Sequence, residues 1–175
     1  MSKKVLILVA IIAVIAIIAG VILLMPKTEN NKQDNKEGNA KTENVENIEG
    51  TLEEIMTKVY AGISNDNLPM MLMDIPVAAE DIEYYVGTND IDCKEVLANE
   101  SGVGSIAHSV VLVRLNDASK AEETVKKIKE NVNPAKWICV EATNVIVKSK
   151  GDLVILIMSN ETLAPMLEAN FDGLK

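Results

Sequence analysis

The sequence predicts an α+β domain, an antiparallel sheet packed with helices, carried behind an N-terminal transmembrane helix and a disordered linker. Three observations predict it. Val5 to Met25 is an unbroken run of Val, Ile, Leu, Ala, Gly and Met. The following stretch, 26–49, turns abruptly to Asn, Lys, Glu, Gln, Asp and Thr. From residue 50 onward, short Val- and Ile-rich runs alternate with capped stretches whose apolar residues recur at helical spacing.

The apolar run sets the first element. At about 1.5 Å of helical rise per residue, 5–25 covers roughly 30 Å, the thickness of a bilayer's hydrocarbon core. Only a helix satisfies every backbone group there. Lys3 and Lys4 stand directly before the run, whereas Lys27, Lys32 and Lys36 after it are mixed with Glu29, Asp34 and Glu37. A short basic flank on the first hydrophobic segment implies a cytoplasmic tail, 1–4, and an extracellular C-terminal part, hence a single-pass cell-membrane protein in contact with lipid through 5–25. A cleaved signal peptide is the alternative, but its apolar region runs about 7–15 residues and ends in a small-x-small site. Here the run ends Leu23-Leu24-Met25-Pro26, and no cysteine follows for lipid attachment. Within the span, Ala13, Ala16 and Gly20 share one helical face, a stripe that would let a second copy approach closely. The plain anchor is the competing reading.

Residues 26–49 hold only Val45 and Ile48 as large apolar side chains. Such a segment buries too little surface to offset its ordering entropy, so a disordered linker is expected. Residues 50–175 form one domain with a single core. That domain carries 20 acidic against 11 basic side chains, so the whole-chain net charge of −9 resides in it. An acidic surface without a basic patch argues against nucleic acid as a partner.

Thr51 and Glu54 form a capping box ahead of Leu52, Ile55, Met56, Val59, Tyr60 and Ile63, a helix ended by Asn65-Asp66-Asn67. Leu68 to Ile75 reads as a short strand. Pro76 opens a second helical stretch through Ala78, Ile82 and Tyr85 that Gly87 caps. Asp92 to Asn99 is a weaker strand, and Ile106 to Leu115, apolar on both faces, a central one. Ser119 and Glu122 suggest another capping box, before a helix lined by Ala121, Val125, Ile128 and Val132 and stopped at Asn133-Pro134. Asn144 to Ser149 and Leu153 to Met158 read as a hairpin across Lys150-Gly151-Asp152, and Asn160 or Thr162 caps a last helix reaching Phe171. The runs Val110 to Asp117 and Leu153 to Asn160 each give a strand, a cap and a helix. A repeated strand-strand-helix unit would explain that order, and so would any strand followed by a capped helix.

The order of Tyr60, then Tyr84-Tyr85-Val86-Gly87 before Asp90-Ile91-Asp92, then a Val-rich strand entering a Lys- and Glu-rich helix, resembles a family of functionally uncharacterised extracytoplasmic domains of Gram-positive lipoproteins and membrane-anchored proteins. Asn144 to Val154 is similar to that family's closing hairpin, although Leu153 stands where an aromatic residue is usual. The resemblance covers most of 51–172. It implies location and fold class and carries no catalytic residues.

Candidate chemistry is sparse. The only histidine, His108, and the only arginine, Arg114, lie about 20 Å apart along one strand, too far to act on one small group. Both read as structural, with Arg114 expected to pair with Asp117 or Glu122. Cys93 and Cys139 in an oxidising compartment permit a disulfide closing a long loop, and the alternative is two separate buried thiols, Cys139 lying beside Trp137, Ile138 and Val140. Met70, Met71 and Met73 suggest soft-metal ligands, against which gap-filling in a core is the stronger reading. Asp90, Asp92 and Glu95 lack the alternation of a calcium loop and read as a solvated turn. No nucleophile elbow, phosphate loop or zinc-protease helix occurs, so no catalytic, cofactor or metal residue is assigned. The expectation is a non-enzymatic binding or interaction module of the cell envelope, with an unidentified envelope protein or ligand as partner. The alternative is an envelope hydrolase using carboxylates that no motif marks.

Overall fold

The computed structural model describes residues 47–175. The expected tail, membrane helix and linker up to residue 46, with the Ala13, Ala16 and Gly20 stripe, lie outside the described residues. Among the described residues no helix is long and apolar enough to cross a membrane.

The first helix, α1 (Leu52–Val59), forms where the capping box predicts it. The Thr51 side chain accepts the Glu54 amide at 3.3 Å, and the Glu54 carboxylate accepts the Thr51 amide at 3.1 Å. It buries Leu52, Ile55, Met56 and Val59. The helix ends at Tyr60, short of the expected Ile63, because Gly62 at φ 74° turns the chain before a 3₁₀ turn over Asn65–Asn67. Strand β1 (Leu72–Pro76) starts four residues later than expected, after Met71 at a positive φ of 56°. Pro76 ends this strand instead of opening a helix. A 3₁₀ turn then leads into α2 (Ile82–Val86). Gly87 caps α2 at φ 84°, and a Cβ there would lie 2.3 Å from the Asn131 carbonyl oxygen, so glycine is required twice over.

Strands β2 (Cys93–Ser101) and β3 (Ser109–Leu115) follow. The expected capping box of Ser119 and Glu122 does not form. The Asp117 carboxylate accepts the Ser119 amide at 2.9 Å instead, starting a 3₁₀ turn that continues into α3 (Ala121–Asn131). Strands β4 (Asn144–Lys150) and β5 (Leu153–Ser159) make the expected hairpin, with Gly151 at φ 58° where a tight loop needs a positive φ. Asn160 Oδ1 then accepts the amides of Thr162 and Leu163 to start α4 (Leu163–Asp172).

The five strands form one antiparallel sheet in the order β1-β2-β3-β5-β4. Every residue of the two central strands, β3 and β5, is buried. Alternation divides the sheet into two faces. Leu97, Val110, Leu112, Ile155 and Ile157 pack under α1 and α4. Val96, Ala98, Val111, Val113 and Leu156 pack under α2 and α3. Each fully buried Leu, Ile or Phe adds roughly 1.5–3 kcal/mol, and helices on both faces are what let β3 and β5 be apolar throughout.

The strand-strand-helix order occurs twice, as β2-β3-α3 and β4-β5-α4. The two helices cover opposite faces, so a rotation that overlays the hairpins leaves the helices on opposite sides of the sheet. The folded part also takes in Ile48, which is buried in the core beside α1, two residues ahead of the expected boundary.

Candidate functional site

Strand β3 is apolar except at its ends, and each end gathers a polar network. At one end lies Arg114. Its Nε donates to the Glu95 carboxylate at 3.0 Å and its Nη1 to Asp152 at 3.0 Å, while Nη1 and Nη2 also donate to the carbonyls of Ile48 and Gly50 at 3.0 and 2.7 Å. The expected partners Asp117 and Glu122 are not used. Arg114 stands directly opposite Glu95 on β2 and beside the β5 turn, and Asp117 is already occupied as a cap. The planar five-donor fork suits this clasp, which fastens the start of the domain to the sheet.

The other end of β3 lies about 20 Å away. On the α1 face, Tyr60 Oη and His108 Nε2 are 2.7 Å apart, and His108 Nδ1 and Ser159 Oγ 2.9 Å. A phenol is the better donor, so Tyr60 O–H donates to Nε2 and Nδ1–H donates to Ser159. Burial lowers the His108 pKa to about 4, which keeps the ring neutral. Burial, helped by the negative charge of Asp74, raises that of Tyr60. His108 and Ser159 are sealed from solvent, so this chain joins α1, β3 and β5 and offers no nucleophile to a substrate.

Beside Tyr60 opens a cleft of about 430 Å³ between α1 and the β1–β2 edge. Met56, Leu68 and Leu72 give it apolar walls, and Thr57, Tyr60, Asp74 and Asn99 supply its polar groups. Asn99 Nδ2 donates to Asp74 Oδ1 at 2.7 Å, directly across the β1–β2 pairing. A carboxylate accepts only, so the amide must face it with its nitrogen, leaving Asn99 Oδ1 without a partner among the described residues. Asn99 is 8% exposed, so its carbonyl is an unspent acceptor in a largely dry wall. Asp74 has no ion-pair partner among the described residues.

On the opposite face of the same end sits Lys136, its side chain 4% exposed. Its ammonium pairs with Glu100, lies 3.3 Å from Ser109 Oγ, and stands 4.9, 4.8 and 5.3 Å from the ring centroids of Tyr84, Tyr85 and Trp137. Burial lowers the Lys136 pKa, opposed by the bond and charge of Glu100. Ser109 is fully buried, so the lysine and serine form no accessible dyad. The cluster pins the connection between α3 and β4.

The remaining candidates separate. Cys93 and Cys139 are free thiols: Cys93 is half-buried at the start of β2, and Cys139 is exposed, next to Ile138 at 99% exposure. The apolar run Trp137 to Val140 therefore does not bury Cys139 as expected. Met70, Met71 and Met73 are exposed and fill no core gap, because β1 is an edge strand and the chain reaches it through a turn. Asp90, Asp92 and Glu95 have separate partners, Lys127, Asn116 and Arg114. Among the described residues no group of His, Cys, Asp and Glu is placed to hold a metal ion. A second, open groove is lined by the acids Asp66 and Glu161 and by Asn67 and Thr143.

Sequence reasoning singled out neither Lys136 nor the Asp74–Asn99 pair. A polar Asn in the well-buried middle of β2 was the available signal. Compared with protein-family models, with curated proteins and with solved structures, the chain matches none, and the resemblance given above rests on the order of its elements.

Proposed function

We propose that the chain is a membrane-anchored, extracytoplasmic binding module of the cell envelope, held by residues 5–25, whose cleft between α1 and the β1–β2 edge receives a ligand carrying a protonated amine on an apolar stem. The observation that carries this reading is the Asp74–Asn99 pair in a cleft whose two hydroxyls, Thr57 and Tyr60, are already bonded to the Glu53 carbonyl and His108. The amide spends its donor on the carboxylate, so the second oxygen of the exposed Asp74 is the acceptor left to the cleft, which suits an ammonium and repels an anion. The apolar walls of Met56, Leu68 and Leu72 suit the stem. The Arg114 clasp holds the start of the domain four residues along β3 from Val110, the strand partner of Asn99.

The alternative, an envelope hydrolase with unmarked carboxylates, is supported by one observation, that Asp66 and Glu161 both line the second groove. Asp74 is the single carboxylate among the residues lining the cleft. Titrating the full-length chain with primary alkylamines and amino-acid amides separates the two readings. Saturable binding abolished by Asp74→Asn supports the module. Turnover of peptidoglycan or peptide substrates abolished by Asp66→Asn or Glu161→Gln supports the hydrolase.

A further inference from the structure

We propose that Met70, Met71 and Met73 form a binding site for Cu(I). These three thioethers stand within four consecutive residues at the sheet edge and are 69%, 63% and 49% exposed. Methionine in a fold ordinarily fills apolar gaps, and here that gain is forgone three times over. The backbone is specialised at the same point. Met71 is the one described residue other than glycine with a positive φ, at 56°, a conformation that disfavours a side chain with a Cβ.

Two hydrogen bonds hold it there. The Gly102 amide donates to the Met71 carbonyl at 2.9 Å, and Ser101 Oγ donates to the Met70 carbonyl at 2.8 Å. The result is convergence. A Cβ at Gly102 would lie 3.2 Å from Met73 Cε and 3.5 Å from Met71 Cε, so both side chains reach over this one glycine, which leaves them room. Met70 adjoins Met71, and its side chain, 69% exposed and free to rotate about three bonds, has the length to add a third sulfur when a metal binds.

The donor set selects the metal. Thioethers are neutral and soft, and they favour Cu(I) over Zn(II), Mg(II) or Ca(II), which seek imidazole, thiolate or carboxylate. Glu100, the cross-strand neighbour of Met73, has its carboxylate taken by Lys136, and among the described residues no group of three or more His, Cys, Asp and Glu is placed to hold a metal ion. A thioether has no proton to lose in water, so binding is independent of pH. The site is separate from the amine cleft and stands or falls without it.

The test uses the full-length chain in detergent with Cys93→Ser and Cys139→Ser, which removes the competing thiols. Cu(I) is titrated anaerobically against bicinchoninate. The expected result is one Cu(I) per chain, a fall in affinity of roughly tenfold or more for Met71→Leu or Met73→Leu, and no pH dependence across roughly pH 5 to 8. Leucine keeps size and apolarity at exposed positions, and an unchanged circular dichroism spectrum verifies the fold. Binding that survives leucine at all three positions overturns the proposal, as does a steep pH dependence. Absence of Cu(I) binding also overturns it and leaves the patch as an apolar docking surface for a protein partner.

Discussion

Replacing Lys136 by Met tests the buried Lys136–Glu100 pair most sharply. The lysine side chain is 4% exposed and its partner Glu100 12%. Met matches the stem but leaves the Glu100 carboxylate without its cation, and removing one partner of a buried pair costs about 3–5 kcal/mol. Loss of the contacts to Tyr84, Tyr85 and Trp137 acts in the same direction. Glu100 keeps some access to water, so the expected cost is near the lower bound, about 3 kcal/mol, or a fall in Tm of about 10 °C for a domain of this size. Urea denaturation followed by fluorescence of Trp137, the only tryptophan, measures it directly. Adding Glu100→Gln to Lys136→Met removes the orphaned charge and should restore at least half of the loss. A single variant that loses less than about 1 kcal/mol, or a double variant no better than the single, would refute the reasoning.

Two further outcomes follow from the ends of β3. Burial holds folded His108 near a pKa of about 4 against 6.5 for the ordinary group, so between these values the unfolded chain takes up the proton and stability falls as pH drops. The expected loss from pH 7 to pH 5 is about 2 kcal/mol, and His108→Gln should remove most of it. An unchanged slope in that variant would show that other groups carry it. At the other end, Arg114→Lys cannot reach Glu95, Asp152 and the carbonyls of Ile48 and Gly50 together, so a loss of about 2 kcal/mol is expected. Faster proteolytic cleavage near Glu49 should accompany it, and unchanged cleavage would contradict the clasp.

Elements governed by local chemistry were legible in the sequence. Thr51 with Glu54, Gly87, Gly151 and Asn160 act within a few residues of themselves, and each does in the structure what its type and position imply. The central placement of β3 followed from an apolar run with no alternation, since only a strand covered on both faces can be so composed. Contacts across the sheet were not legible. Arg114 finds Glu95 and Asp152 through strand register, whereas sequence proximity points to Asp117 and Glu122. Met70, Met71 and Met73 read as core because apolarity signals burial on average, and an edge strand entered through a positive-φ residue escapes that average. The cleft was invisible for the same reason as the clasp. Asp74 and Asn99 meet only when β1 pairs with β2.

The central claim is that the cleft beside Tyr60 seats an amine. Amide chemical-shift mapping of the full-length chain during titration with a primary alkylamine tests it most directly. Saturable shifts centred on Tyr60, Leu72, Asp74 and Asn99 are expected, abolished by Asp74→Asn with the rest of the spectrum preserved. Shifts that avoid these residues, or that persist unchanged in Asp74→Asn, would contradict it.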